Sequence, residues 1–130
     1  SKGDIFETDH SMALAHCVSS DLKMTKGIAL EFRRRFGGLN QLRRLPRTVS
    51  DVLSLRLKER EIFYLVTKQH FWQKPEPEHL FQSLQKLRTL CEEREIKTLT
   101  CPRLGTGLDG LQWETVRSML QYIFRNSQVT

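Results

Sequence analysis

The sequence has few residues that could cross-link the chain. Its three cysteines, Cys17, Cys91 and Cys101, contain no C-x-x-C pair and are odd in number, so neither a disulfide framework nor a zinc site is predicted. Each lies in an apolar stretch, where a free thiol packs like a small hydrophobic side chain. A reducing compartment is the simpler interpretation, and we expect a nuclear and cytoplasmic location.

Long apolar runs are also missing. No stretch approaches the roughly 18 residues of a membrane-spanning helix, and polar residues 1–4 lead into no apolar segment typical of a secretory signal. The 130 residues are 38% hydrophobic and 28% charged, a balance typical of a folded domain and not of a disordered chain. We therefore expect one domain over residues 1–130, monomeric and without a membrane partner.

Acidic residues are scarce in residues 23–47. This segment has a net charge of +7, because Glu31 is its one acidic residue against eight basic residues: Lys23, Lys26, Arg33, Arg34, Arg35, Arg43, Arg44 and Arg47. A concentrated positive face attracts polyanions, with phosphates the obvious candidates, although a solvated helix face is the alternative. No aromatic platform or nucleic-acid motif accompanies it, so a nucleic-acid partner ranks last.

The hydrophobic pattern predicts four strands. Met12–Val18 and Ile62–Val66 are short apolar runs typical of strands buried on both faces. Leucines at 53, 55 and 57 alternate with polar residues, which predicts a strand with one solvent-exposed face, antiparallel to the next strand. Leu99–Leu104 is a further short apolar segment, and Gln128–Thr130 is the predicted start of one more strand.

Helical spacing separates these strands. Ile28, Phe32 and Phe36 recur every fourth residue before Gly37-Gly38 ends the pattern, and two more amphipathic stretches cover residues 80–91 and 113–124. The order β-α-β-β-α-β-α predicts an α/β domain with three layers, α/β/α, around a mixed central sheet.

Two loops between a strand and a helix could bind phosphate. Residues 103–110 read R-L-G-T-G-L-D-G, and Asp21–Ala29 reads D-L-K-M-T-K-G-I-A. Glycine lets a ligand approach the backbone, and a helix N-terminus carries partial positive charge. Neither loop matches G-x-x-x-x-G-K-[ST] or G-x-G-x-x-G, so each alone could be an ordinary turn. Together, at one edge of an α/β sheet, they predict a ligand cleft.

Three titratable residues have an ordinary structural interpretation, and for Lys68 a catalytic one is also open. Lys68 ends the second buried strand, where desolvation would favour a neutral, nucleophilic amine, but a lysine at a strand end can also extend to solvent. Asp109 could be a helix N-cap with Gln112 three residues later. His16 is expected to be a hydrogen-bonded core histidine. The spacing of the other histidines predicts no metal site.

Several segments in order resemble a known family. They are G-D-I-F (3–6), L-A-H-C-V-S (14–19), M-T-K-G-I-A (24–29), R-R-F-G-G (34–38), Y-L-V-T-K (64–68) and P-R-L-G-T-G-L-D-G-L-Q-W-E (102–114). Over nearly the whole chain the sequence strongly resembles the macrodomain branch of terminal ADP-ribose protein glycohydrolases, also described as O-acetyl-ADP-ribose deacetylases. The resemblance predicts the macrodomain fold, and it places the start of the chain inside the first strand and its end before the last strand is complete.

The resemblance implies an activity and residue roles. The expected reaction is hydrolysis of the ester that joins ADP-ribose to a glutamate or aspartate side chain, or to acetate, without metal or cofactor. Lys68 would form a covalent lysyl-ADP-ribose adduct, and Asp109 would act as general acid and base. Asp4 would bind adenine and Ser19 would lie near the distal ribose. The expected diphosphate-binding residues are Gly27, Ile28, Gly105, Thr106, Gly107 and Leu108.

One loop departs from the family. Met24-Thr25-Lys26-Gly27 stands where the family usually has Met-Gly-Ala-Gly, which predicts a stiffer loop, a changed approach to phosphate or an added charge contact. The expected partners are ADP-ribose and mono-ADP-ribosylated proteins, with poly(ADP-ribose) as a further candidate. Two alternatives stay open: a module that binds ADP-ribose or its polymer without cleaving it, and a nucleic-acid binder that uses the basic segment 23–47.

Overall fold

The computed structural model describes residues 13–57, 60–102 and 110–129. In these ranges strands and helices alternate much as the hydrophobic pattern predicts. The elements are β1 (Ala13–Ser19), α1 (Gly27–Phe36), α2 (Leu39–Arg43), β2 (Val52–Leu57), β3 (Arg60–Lys68), α3 (Pro77–Glu93), β4 (Leu99–Thr100) and α4 (Trp113–Ile123).

The four strands form one mixed sheet in the order β2-β3-β1-β4. β2 and β3 pair antiparallel, from Val52 opposite Leu65 to Leu57 opposite Arg60, which confirms the predicted hairpin. β1 runs parallel to both β3 and β4. The two strands predicted to be buried, β1 and β3, are therefore the interior strands of the sheet.

A hydrophobic core lies on each face of the sheet, because successive side chains of a strand point to opposite faces. Ala13 and Ala15 of β1 face a core that α3 and α4 complete with Leu80, Leu84, Leu87, Cys91, Val116 and Ile123. Leu14 and Val18 face the opposite core, which includes Phe32 of α1 and Leu42 of α2. This arrangement confirms the three-layer α/β/α prediction.

The short helix α2 was not predicted. Gly37 and Gly38 end α1 with φ angles of 61° and 72°, as expected from glycine, but α2 begins at the next residue. Five residues are too few to show a helical period in the sequence. Leu42 is the buried residue of α2. Gly38 is also required by packing, because a Cβ there would overlap the side chain of Leu55.

Two sequence predictions for the C-terminal part are wrong. Gln128 and Val129 do not form a strand; the chain turns after α4, with the Ser127 N–H donating to the Phe124 carbonyl, and Val129 packs on the core of α3 and α4. α4 begins at Trp113 with Gln112 as its N-cap residue, so the capping position is three residues beyond Asp109. No helix of the described ranges is both long and apolar enough to cross a membrane.

Candidate functional site

The carboxyl ends of the parallel strands β1 and β3 bring two predicted site residues together. Val18 pairs with Val66, but the next residue, Ser19, pairs with Lys68, so the register shifts by one residue at Thr67. Beyond the strands, the Ser20 N–H donates to the Lys68 carbonyl oxygen at 2.8 Å, and the Asp21 N–H donates to the Gln69 carbonyl at 3.2 Å. The loops that follow β1 and β3 therefore start side by side.

Asp21 connects these two loops through its side chain. Its Oδ1 accepts hydrogen bonds from the Ser19 hydroxyl at 2.5 Å and the Lys23 N–H at 3.3 Å, and its Oδ2 accepts one from the Phe71 N–H at 3.0 Å. The Nδ1 of His70 lies 4.0 Å from Oδ2. Partial burial acts to raise the pKa of the Asp21 carboxyl, but these hydrogen bonds, with His70 nearby, outweigh burial and lower that pKa.

The sequence pattern assigns Asp21 no role beyond the first position of the loop Asp21–Ala29. The available signal was its position two residues after Ser19, between a buried strand and a basic segment.

The loop from β1 to α1 has an unusual backbone. Leu22 and Met24 have φ angles of 52° and 50°, a left-handed conformation that residues with a Cβ rarely adopt. Both side chains are buried in the core under α1, so packing holds the backbone in this shape. Strained residues of this kind persist where their surroundings over-determine them.

Three arginines of the basic segment brace the same loop. Arg47 donates from Nε to the Ser20 carbonyl oxygen at 2.6 Å. Arg43 donates to the Leu22 carbonyl at 3.3 Å, and Arg33 donates to the Lys23 carbonyl at 3.2 Å. Part of the basic charge therefore has a structural role. Seven of the eight basic residues of this segment are nevertheless exposed, and Arg47 is half-buried.

The first turn of α1 offers backbone N–H groups to an anion. α1 begins at Gly27, its N-cap residue Lys26 makes no side-chain capping hydrogen bond, and its first turn contains no acidic residue. The unpaired N–H groups and the positive end of the helix dipole suit a phosphate. Ile28 is exposed on this first turn. The expectation that Gly27 and Ile28 contact a ligand stays a prediction.

The loop after β3 carries exposed aromatic rings that the sequence analysis did not connect to the basic segment. The rings of His70 and Trp72 stack with centroids 5.5 Å apart, and 70% of Trp72 is exposed to solvent. Phe71, between them, is also exposed, while its N–H binds Asp21. Asp21 connects the Phe71 N–H of this loop to the Lys23 N–H at the start of the basic segment, so the exposed rings and that segment lie on adjoining loops.

The predicted glycine-rich loop is described at one end only. A Cβ on Gly110 would lie 3.7 Å from Cε and 3.8 Å from Nζ of Lys74, so the end of this loop meets the segment between β3 and α3. The other predicted residues, Asp4, Gly105, Thr106, Gly107, Leu108 and Asp109, lie outside the described residues.

His16 is a core residue, as predicted, but its expected hydrogen bond is not found. Its ring stacks on Phe32 with centroids 3.7 Å apart and meets Tyr64 edge-on at 4.8 Å. Neither ring nitrogen has a hydrogen-bond partner among the described residues, and complete burial lowers the pKa of His16 to about 3. The histidine is therefore neutral and packs as an aromatic ring.

Cys17, Cys91 and Cys101 are free thiols. Burial raises the pKa of Cys91 to about 11, with a further contribution from Glu61, and burial alone raises that of Cys101 to about 11. These thiols stay protonated near neutral pH and are poor nucleophiles. The described part of the chain also contains no cluster of side chains suited to a metal ion.

The chain is similar in sequence to several known proteins. The family model described as Macro domain matches residues 15–120. The chain is 38% identical over 128 residues to the human "ADP-ribose glycohydrolase OARD1", which covers 98% of this chain and 84% of that protein. It is 30% identical over 121 residues to the "DNA ADP-ribosyl glycohydrolase" of Thermus aquaticus, covering 84% of this chain and 33% of that protein.

A solved structure shares the fold. The macrodomain of Mycobacterium tuberculosis DarG superposes with a TM-score of 0.84 at 26% sequence identity, covering 99% of this chain and 91% of that one. The matched region includes both strands that end at Ser19 and Lys68.

Proposed function

The chain belongs to the macro domain family, and from that membership we propose that it is an ADP-ribosyl hydrolase that cleaves the ester between ADP-ribose and a glutamate or aspartate side chain, or acetate. One observation carries the proposal: Ser19 and Lys68 lie opposite each other where β1 and β3 end. The 38% identity to a human ADP-ribose glycohydrolase supports the same activity.

The loop from β1 to α1 would hold the diphosphate. The N–H groups at Gly27 and Ile28 begin α1 and are available to phosphate oxygens. By family resemblance, the backbone of residues 105–108 would contact the diphosphate from the other side and Asp4 would bind adenine. Lys26, exposed beside the first turn of α1, would add a positive charge where the family has a small residue.

Lys68 would act as the nucleophile. Its neutral amine would attack the anomeric carbon of the distal ribose, forming a bond from Nζ to carbon as the bond from carbon to the ester oxygen breaks and the carboxylate leaves. Asp109 would then take a proton from water as the water attacks the same carbon. The bond to Nζ breaks, ADP-ribose is released, and the amine of Lys68 is regenerated.

The test is release of ADP-ribose from a glutamate-linked, ADP-ribosylated protein by the wild type, Lys68→Ala and Lys86→Ala. Lys86 lies on α3 and pairs with Asp51 at 3.2 Å, so it is a matched lysine outside the site. We expect release by the wild type and Lys86→Ala, and none by Lys68→Ala although it still binds ADP-ribose. Equal release by all three would contradict the role of Lys68. A wild type that binds ADP-ribose without releasing it would identify a binding module.

A second function, binding of single-stranded nucleic acid, is favoured by the stacked pair of His70 and Trp72, which lies on a loop that Asp21 connects to the backbone of Lys23. Nucleic-acid bases stack on such rings while lysines contact phosphates. The test is binding of a fluorescent single-stranded oligonucleotide by the wild type and Trp72→Ala. We expect about tenfold weaker binding by the variant and a steep salt dependence for both. Equal affinity of the two proteins would exclude this surface.

A further inference from the structure

Asp21 occupies the junction between the two loops that leave the site. Its carboxylate binds the Ser19 hydroxyl and the Lys23 N–H in the loop after β1, and the Phe71 N–H in the loop after β3. Ser19 and Lys68 are the last residues of the same two strands. One side chain therefore contacts both segments that define where the predicted nucleophile meets the substrate.

Backbone hydrogen bonds connect only the first residues of the two loops. In the described residues, the Ser20 N–H donates to the Lys68 carbonyl and the Asp21 N–H donates to the Gln69 carbonyl. The carboxylate of Asp21 extends the connection to Phe71. The same carboxylate orients the Ser19 side chain, because the Ser19 hydroxyl donates its proton to Oδ1. The lone pairs of the Ser19 hydroxyl oxygen remain available as acceptors.

We propose that Asp21 is a positioning residue of the active site. Its carboxylate orients the Ser19 hydroxyl and holds the loop after β3 against the loop after β1, so that Ser19 and Lys68 act on the same distal ribose. This inference rests on the proposed hydrolase function. Asp21 acts through Ser19 and the loop that follows Lys68, and it need not contact the substrate.

Asp51 is the matched control for an ordinary loop carboxylate. Its Oδ2 accepts a hydrogen bond from the Thr48 N–H at 2.8 Å and its Oδ1 pairs with Lys86 at 3.2 Å. Like Asp21, it ties a loop to its surroundings with a partly exposed carboxylate, but its side-chain partners do not include Ser19 or the loop after β3. Loss of each carboxylate should therefore have a similar effect on stability and a different effect on the reaction.

The experiment compares Asp21→Asn with Asp51→Asn. Asparagine keeps the shape of aspartate, but an NH2 group replaces one carboxylate oxygen. It therefore cannot accept hydrogen bonds both at the Oδ1 position that binds Ser19 and at the Oδ2 position that binds Phe71. For Asp21→Asn we expect kcat for ester cleavage to fall about tenfold or more, while the affinity for free ADP-ribose changes less than about threefold. For Asp51→Asn we expect kcat within about twofold of the wild type at a similar loss of unfolding free energy.

Ser19→Ala provides the readout that a merely structural role would not affect. If Asp21 acts through Ser19, the double variant Asp21→Asn with Ser19→Ala should lose much less kcat than the product of the two single effects. If Asp21→Asn does not fold, Ser19→Ala alone decides: a fall in kcat supports the inference and an unchanged kcat overturns it.

The failures of the two proposals are distinguishable. Wild-type kcat in Asp21→Asn, or effects that multiply fully in the double variant, would overturn the positioning role and leave the hydrolase function intact. A wild type that releases no ADP-ribose would overturn both.

Discussion

Ser19 lies opposite Lys68 only because the pairing of β1 with β3 shifts by one residue at Thr67. In an unshifted register Ser19 would face Thr67, whose side chain is buried. The shift therefore brings the backbone of Ser19 level with that of Lys68 at the point where the two strands end. The proposed reaction starts from this pair.

The buried His16 predicts acid sensitivity. Its pKa is about 3 in the folded chain and about 6.5 when unfolded, so the fold favours the neutral form. The corresponding stability is complete above about pH 6.5 and is lost as the pH falls toward 3, by roughly 1.4 kcal/mol per pH unit. From pH 6.5 to 5 we expect a loss of about 2 kcal/mol in the wild type. This loss should be absent in His16→Leu when the free energy of unfolding is measured with urea; equal losses in both proteins would contradict the assignment.

Removing one of the arginines that donate to the loop between β1 and α1 should lower the stability of the protein. Arg47 donates to the carbonyl oxygens of Ser20, Arg43 and Leu45, so Arg47→Ala should lower the free energy of unfolding by about 1–3 kcal/mol. The exposed Arg44 is the control, and Arg44→Ala should stay within about 0.5 kcal/mol of the wild type.

ADP-ribose binding by Arg47→Ala and Arg44→Ala distinguishes an effect of the loop conformation on affinity from an effect of the lost positive charge. At high salt, where exposed charges are screened, Arg47→Ala should bind ADP-ribose more weakly than Arg44→Ala. Of these two arginines, Arg47 is the one that donates to the loop backbone at Ser20. Isothermal titration provides the two dissociation constants. Equal constants at high salt would mean that the brace does not matter for the site.

The N-terminus of α1 can be tested at Lys26. This N-cap residue makes no side-chain capping hydrogen bond, so Lys26→Ser and Lys26→Asp should each raise the free energy of unfolding by about 1 kcal/mol. Lys26→Ser removes the positive charge proposed beside the diphosphate and should weaken ADP-ribose binding by about threefold. Aspartate places a carboxylate where the diphosphate is proposed to bind and should weaken binding by about tenfold or more. Equal affinity of the two variants would show that the diphosphate binds elsewhere.

The two glycines after α1 predict different costs. Gly37 has φ 61° and ψ −137°, a combination that residues with a Cβ essentially avoid, whereas Gly38 has φ 72° and ψ 10° in the left-handed helical region. Gly37→Ala should lower the free energy of unfolding by about 1–3 kcal/mol through backbone strain alone, because nothing lies within 4 Å of the new Cβ. Gly38→Ala should lower it by about 1 kcal/mol through strain and by roughly 1 kcal/mol more because the new Cβ would overlap Leu55. A wild-type urea midpoint for either variant would contradict the corresponding argument.

Much of the fold was predictable because the strands differ clearly in pattern. The apolar runs that contain Leu14 and Leu65 indicated interior strands, and the alternation at Leu53 and Leu55 indicated a strand with one exposed face; all three are confirmed. Two elements were not predicted correctly. α2 was too short to show a period, and Val129, in the segment predicted to begin a strand, packs on the core of α3 and α4 instead.

The candidate site was predictable only where a motif marked it. Ser19, Gly27 and Lys68 were identified from the resemblance, and the structure places them at strand ends or at a helix start on adjoining loops. Their roles stay predictions, as do those of the residues outside the described ranges. Asp21, Trp72 and the arginine braces belong to no motif, because their importance comes from partners distant in sequence, such as the 50 positions between Asp21 and Phe71.

The sequence by itself determined the layers, the order of most elements and the positions of Ser19 and Lys68 at strand ends, because these depend on local periodicity and on contiguous motifs. Only the tertiary structure decided the shifted register that pairs Ser19 with Lys68, the left-handed backbone at Leu22 and Met24, and the contact of Asp21 with both loops. These features depend on hydrogen bonds and packing between segments far apart in the chain. No local pattern of residues encodes such contacts, which form only when β1 and β3 lie side by side.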